Sequence, residues 1–248
     1  MLRALTPEPD RHLPLPGTYN VRDIGGYRSR DGRTIQWRTF WRADSLHRLP
    51  PEAQVTLLGY GVRTVIDLRR SDELQAAPNV FAGSTSVTYC HLSLQVDAPL
   101  VPGTPQRLVG AYCHMLDERQ EQICETLRVL AAPGGLPAVV HCTAGKDRTG
   151  LIAALVLGLA GVPEDTIVED YALSARYLAG PYLEEARQRA LRRGYTWEQY
   201  EPLVRCPPEF MHATLQYLKE RYGSIEAYTR TIGLGQEQIS RFQDLLLA

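Results

Sequence analysis

Leu136-Pro-Ala-Val-Val-His-Cys-Thr-Ala-Gly-Lys-Asp-Arg-Thr-Gly150 divides into parts that decide the fold. Residues 136–141 are a short apolar run rich in valine, the pattern of a buried central strand. Residues 151–162, which follow, are apolar and long enough for a packed helix. The ten residues 141–150 are the turn between them, and they place Cys142 and Arg148 six positions apart. That is the pattern of a phosphate site with a nucleophile in it.

Five residues between Cys142 and Arg148 suffice to wrap backbone N–H groups around one tetrahedral oxyanion. The turn opens onto a helix N-terminus, where unsatisfied N–H groups and the helix dipole favour negative charge. Thr143, Ala144, Gly145, Lys146, Arg148 and Thr149 are therefore the expected phosphate-binding residues. The same field acts on sulfur. A free thiol titrates near ~8.5, whereas thiols at helix N-termini or beside cations fall to roughly 3.5–7.5, so Cys142 is expected to be largely thiolate at neutral pH. Arg148 supplies a rigid guanidinium fork matched to two phosphate oxygens. Gly145 allows a backbone conformation that side chains obstruct, and the Thr149 hydroxyl can donate to the sulfur when it leaves. His141 is expected to orient the loop through its ring nitrogens. The alternative in which Cys142 is a buried structural thiol conflicts with the charges of Lys146, Asp147 and Arg148 beside it.

Outward from this turn the chain alternates strands and helices. Residues 17–42 read as an irregular entry and a β-hairpin, with Gly25-Gly26 and Asp31-Gly32 as turn signals. Residues 51–61 read as a helix with Pro at its start, 62–68 as a buried strand, and 86–94 as another. Between the strands, Ser71-Asp-Glu-Leu opens a helical turn with Ser71 as its cap. A Pro-rich loop, 95–105, precedes helical segments over 107–132. After residue 150 the chain is mostly helical, broken at Gly161-Val-Pro163, Gly180-Pro181, Gly194 and Pro207-Pro208. The pattern predicts an α/β fold: a mixed, mainly parallel central sheet flanked by helices, a helical C-terminal part, and the site at the carboxyl edge of a strand.

His-Cys-x5-Arg-Thr-Gly resembles the signature of the cysteine-dependent protein tyrosine phosphatase superfamily. Lys146-Asp147 before the arginine, with Asn20-Val-Arg-Asp-Ile-Gly-Gly26 near the N-terminus, narrows the resemblance to bacterial tyrosine and phosphoinositide phosphatases with the HCxAGKDRTG loop. Further matches are Trp41-Arg-Ala-Asp-Ser-Leu46, Val65-Ile-Asp-Leu-Arg69, Asp170-Tyr171 with Ser174, and Tyr222-Gly-Ser-Ile-Glu-Ala-Tyr228. The resemblance spans residues 13–245 and implies one tyrosine-phosphatase-like catalytic domain. It implies hydrolysis of phosphotyrosine, with phosphoserine, phosphothreonine or phosphoinositide monoesters as further substrates, through a cysteinyl-phosphate and without metal or cofactor. Two other classes use related loops: a non-catalytic phosphate-binding module, and a thiolate sulfurtransferase or arsenate reductase.

Such a mechanism needs a general acid that later serves as base. The resemblance points to Asp147. Lys146 and Arg148 hold its proton affinity down, while a bound phosphate dianion and the thiolate raise it. Asp97 is the rival, because a loop Asp after the strand Tyr89-Cys-His-Leu-Ser-Leu94 matches where dual-specificity phosphatases carry their acid. Lys146 is expected either to contact a second phosphate or to be an exposed lysine that strengthens the loop's field. Asp67 with Arg69, at the end of an apolar strand, reads either as a pair facing the pocket edge or as an ion pair closing that strand. Arg22, Asp23, Arg42 and Asp44 read as buried pairs bracing the N-terminal hairpin. Asp170, Tyr171 and Ser174 are expected to tie the signature helix to its successor. Two amphipathic helices, 181–193 and 196–204, are bounded by Gly180-Pro181 and Pro207-Pro208. The resembled phosphatases carry a helical lid here, so 177–205 reads either as a lid that shields the thiolate or as a fixed hairpin.

Composition agrees with one enzyme domain: 248 residues, 44% hydrophobic and 22% charged, are ordinary for a globular protein. With 27 basic and 28 acidic residues there is no global field to attract nucleic acid or an anionic membrane. Residues 1–16 lack an apolar signal-peptide core, and 151–162 is too short to span a membrane. A cytoplasmic location is the expectation, with export by another route left open. Five cysteines without paired spacing argue against a disulfide framework or a zinc site, and Cys90, Cys113, Cys124 and Cys206 are expected in core or neutral surface positions.

Overall fold

All four residues of the strand Ala138–His141 are buried, and this strand is the middle of a five-stranded sheet. The computed structural model describes residues 10–96 and 105–248. Along the chain these form β1 (Arg22–Asp23), β2 (Phe40–Ala43), α1 (Pro51–Gly59), β3 (Thr64–Asp67), α2 (Ser71–Ala76) and β4 (Thr88–His91). Next come α3 (Pro105–Glu118), α4 (Gln120–Ala131), β5 (Ala138–His141), α5 (Arg148–Leu159) and α6 (Glu164–Ala172). The remainder is helical: α7 (Ser174–Tyr177), α8 (Pro181–Arg192), α9 (Trp197–Tyr200), α10 (Pro208–Tyr222), α11 (Ile225–Thr231) and α12 (Gln236–Leu246).

The sheet order is β1-β2-β5-β3-β4, with every neighbouring pair parallel except β1 against β2. This is the mixed, mainly parallel sheet that the sequence pattern predicts. Side chains alternate across it with the two-residue period of strands. Val139, Val65 and Trp41 enter one core with Leu57 and Phe81, while Val140, Ile66 and Phe40 enter a larger one with Leu151, Ile152 and Leu155. Both faces are covered, which is why the central strands read as continuous apolar runs. Ala43, His141 and Asp67 are level across the sheet, so the three central strands end together and the turn 142–147 leaves from that carboxyl edge.

Two local expectations are corrected. Ser71 is the first helical residue rather than the cap. The cap position is Arg70, whose backbone N–H donates to the Glu73 carboxylate at 2.9 Å, so Glu73 does the capping that was assigned to serine. Residues 196–204 form one helical turn, α9, capped by Thr196 and followed by a short 3-10 turn over Glu201–Leu203, because Pro202 enters there. Among the described residues no helix is long and apolar enough to cross a membrane.

Candidate active site

The turn after β5 is held by its carbonyls. His141 Nδ1 lies 3.2 Å from the Cys142 oxygen. The Ser45 N–H donates to Thr143 O at 3.1 Å, the Asn20 amide to Ala144 O at 2.9 Å, and the Arg42 guanidinium to Gly145 O at 2.8 Å and Lys146 O at 3.4 Å. Leu151 N–H donates to Asp147 O at 2.9 Å. Six successive carbonyls are thus drawn to the outside of the turn. In a planar trans peptide the N–H points opposite to its carbonyl, so the N–H groups face inward. Among the described residues those of 143–147 donate to no protein acceptor. Gly145 sits at φ +66, and a Cβ there would lie 2.4 Å from Ala43 O. Only glycine lets the turn lie this close to β2.

Cys142 lies at the base of the turn, 1% exposed. Arg148, the first residue of α5, sends its fork to the Glu73 carboxylate at 2.7 and 3.2 Å and to Thr143 Oγ1 at 3.2 Å. Burial pushes the Glu73 carboxyl up, but Arg148 and Thr143 more than offset this and hold it at about 2. Thr149 Oγ1 is buried without a hydrogen-bond partner, which leaves its O–H free for an anion. Behind the loop, His141 Nε2 meets the Asn79 amide at 2.7 Å and Asp67 Oδ2 at 3.3 Å. Asp67 also takes Arg69 at 2.7 Å. The expected pair Asp67–Arg69 therefore exists, and it orients His141 as well as closing β3.

Asp147 faces the same cavity as Cys142. Its Oδ1 accepts from the Tyr112 hydroxyl and lies 3.2 Å from Lys146 Nζ, while Tyr112 meets the Tyr171 hydroxyl at 2.9 Å. Lys146 corrects both readings made of it. It is 1% exposed, and its ammonium donates to Leu203 O at 2.7 Å and Arg205 O at 2.9 Å. With Asp147 as the third partner, no N–H remains for a second phosphate. Burial pulls its proton affinity down, but Asp147 and neighbouring groups more than restore it. Asp97 lies outside the described residues.

Beneath the loop, Arg22 and Arg42 are register partners on β1 and β2, and both reach Asp170 of α6, Arg22 Nε at 3.3 Å. Burial raises the Asp170 carboxyl, and the two guanidinium groups bring it down to about 2. Ser174 Oγ accepts from Arg22 at 3.1 Å. The tie made by Asp170 and Ser174 is therefore to the N-terminal strands, a correction to the expectation that they join α5 to α6. Asp44 accepts the N–H groups of Tyr19 and Asn20 at 3.0 and 2.9 Å, with burial pushing it up to about 6. The other four cysteines are free thiols, Cys124 and Cys206 buried and Cys90 and Cys113 partly so.

A cavity of about 440 Å³ lies over the turn, walled by Cys142, Asp147 and Arg148 on one side and by Tyr182, Tyr195 and Tyr200 on the other. The tyrosines come from α8, α9 and the loop between them. This unit meets the rest of the protein through Glu185, which accepts from Tyr19 and Arg48 at 2.7 Å each, through the Lys146 contacts, and through Tyr182, Ala186, Ala190, Tyr200 and Val204, which are buried in the larger core.

An inward ring of N–H groups around a buried cysteine, closed by an arginine braced on a carboxylate, is an anion site with a nucleophile. Residues 13–248 match the model described as the tyrosine phosphatase family. The chain belongs to that family. It is 34% identical over 218 residues to a tyrosine-protein phosphatase of Nostoc commune, covering 82% of this chain and 72% of the relative. It is 27% identical to the triple specificity protein phosphatase PtpB of Mycobacterium tuberculosis, covering 94% of this chain and 98% of the relative. A crystal structure of TpbA from P. aeruginosa aligns at 16% identity with a TM-score of 0.31, over 64% of this chain and 90% of that one. The family match and the Nostoc commune relative make this protein a tyrosine phosphatase.

For this phosphatase, sequence reasoning missed Glu73, Asn79, Tyr112 and the tyrosines of α8 and α9. Glu73 carried one signal, its place three residues into a helix, which explains its capping bond but not its pairing with Arg148. The other residues read as ordinary core or loop positions.

Proposed function

We propose that the phosphatase hydrolyses phosphotyrosine in protein substrates through a cysteinyl-phosphate on Cys142, with Asp147 as general acid and then general base. The inward N–H groups of 143–147 carry this reading, because they match the three equatorial oxygens of a transferring phosphoryl group. In the first step the Cys142 sulfur bonds to phosphorus and the bond to the tyrosyl oxygen breaks. Asp147 gives its proton to the departing phenolate. In the second step water bonds to phosphorus, Asp147 takes the water proton, and the sulfur leaves with the Thr149 O–H donating to it. Arg148 lends its positive charge to the phosphoryl group from beside the turn, where its two terminal nitrogens are held by Glu73, Thr143 Oγ1 and the Leu68 carbonyl.

The assignment of Asp147 is supported by its hydrogen bonds. Tyr112 donates to Oδ1 and the Lys146 ammonium lies 3.2 Å from the same oxygen, so Oδ2 is the oxygen left to meet substrate. Residues 177–205 act in this reading as a lid over the cavity. The relative described as triple specificity makes phosphoserine and phosphothreonine the next substrates to try, with phosphoinositide monoesters after them.

Single-turnover release of p-nitrophenol from p-nitrophenyl phosphate, without added metal over pH 5–8, tests the assignment. Turnover by wild type and none by Cys142→Ser is expected, with the acid limb of the profile lost in Asp147→Asn and kept in Asp97→Asn. The reverse pattern for the two aspartates would move the general acid to Asp97. An inert wild type that still binds phosphate would make the chain a phosphate reader.

A further inference from the structure

Beside the catalytic cavity lies a second of about 420 Å³. The two share Glu73, Thr143, Tyr182, Arg189 and Arg193 in their walls, so they adjoin. The second cavity adds Arg48, Arg69 and Arg192, with Asp44 and Glu185 as its further carboxylates; Asp44 is held by the Tyr19 and Asn20 N–H groups. Arg48 is paired with Glu185, Arg69 with Asp67, and Glu73 with Arg148, each at 2.7 Å. Arg189, Arg192 and Arg193 form no ion pair among the described residues. Arg189 rests on the tyrosines Tyr182 and Tyr200, and Arg192 and Arg193 are exposed. The dipole of α8 accounts for basic residues in its last turn. It does not account for three of them lining cavities that meet at the catalytic turn.

We infer that this second cavity is an anion subsite that reads a carboxylate side chain next to the phosphotyrosine of a protein substrate, with Arg192 and Arg193 as its principal donors. The inference rests on the phosphotyrosine reading given above. A guanidinium fork accepts a carboxylate by two parallel hydrogen bonds. A peptide is favoured over a polyhydroxylated headgroup because the first cavity is walled by three tyrosine rings, a surface suited to a phenyl group.

The test compares kcat/KM for two phosphotyrosine peptides, one with Glu on both sides of the phosphotyrosine and one with Gln, at low and high salt. Two exposed pairs support a preference for the Glu peptide of up to about tenfold at low salt, shrinking as salt screens it. The Arg192→Gln/Arg193→Gln double variant is expected to bring the ratio within about twofold of unity, and the Arg192→Lys/Arg193→Lys double variant to keep part of the preference. A wild-type ratio near one, or a ratio that survives in the Gln variant, overturns the inference. So does an arginine-dependent preference that appears only with a soluble inositol bisphosphate, which would assign the cavity to a headgroup. Hydrolysis of neither peptide would instead remove the phosphotyrosine reading, and this inference with it.

Discussion

Replacing Glu73 with Gln keeps the shape of the side chain and removes its charge, and so isolates the brace on Arg148. A carboxyl held at about 2 instead of its ordinary 4.5 favours the ionised folded form by about 3 kcal/mol, at about 1.4 kcal/mol for each pH unit. The side chain is 20% exposed, so solvent screening removes little of this. Glu73→Gln should therefore lower the stability at pH 7 by about 3 kcal/mol, or roughly 6–12 °C in Tm for a chain of this size. Because the folded carboxyl titrates below the unfolded one, this contribution is fully present above about pH 4.5 and disappears as the pH falls through about 2. Urea unfolding of wild type and variant at a series of pH values reads it directly. The stability gap should fall to less than half its neutral value by pH 3. A gap that stays constant down to pH 3 would mean that Glu73 contributes through packing and not charge. Turnover should fall as well, by about 10- to 100-fold in kcat/KM, because an unbraced Arg148 no longer enters the transition state with its fork aimed.

Lys146→Met removes two hydrogen bonds and an ion pair from a buried ammonium and leaves the Leu203 and Arg205 carbonyls without their donor. A loss of about 3 kcal/mol is expected, with faster proteolysis confined to 194–206, followed by mass spectrometry of the fragments. Asp170→Asn leaves two buried guanidinium groups sharing a neutral amide and should cost about 3–5 kcal/mol in denaturant titration. Gly145→Ala places a methyl group 2.4 Å from Ala43 O at φ +66. The left-handed conformation alone costs an alanine about 1–2 kcal/mol, and the clash forces the turn off β2, so p-nitrophenyl phosphate turnover should drop at least about 100-fold.

The sequence was most legible where a single physical requirement acts locally. Residues 136–150 carry the valine run of a two-faced buried strand, a glycine where φ is positive, and an apolar helix, so strand, turn and helix could each be read without their neighbours. Parallel pairing followed from the alternation of apolar strands with helices. What could not be read depends on partners far apart in the chain. Glu73 meets Arg148 across 75 positions and Tyr112 meets Asp147 across 35, and no local pattern records either pairing. Lys146 was misread for a related reason. A lysine in a phosphate loop is expected to face the anion, but two carbonyls from 203–205 capture it from behind. Sequence spacing shows which residues share a turn, and it leaves open which way a long flexible side chain leaves that turn.

The buried charges beneath the loop are better understood as positioning devices than as a source of stability. A carboxylate flanked by two buried guanidinium groups gains little over apolar residues of similar volume, because desolvation cancels most of the attraction. Apolar residues, however, have no N–H to offer a carbonyl. Arg42 spends one nitrogen on Asp170 and another on the Gly145 and Lys146 oxygens, and Asn20 donates to the Ala144 oxygen while accepting from Arg22. The ion pairs thus fix the donors, the donors turn the carbonyls outward, and the planar peptides turn the N–H groups inward. Charge buried on one side of the loop sets the field on the other, where Cys142 lies.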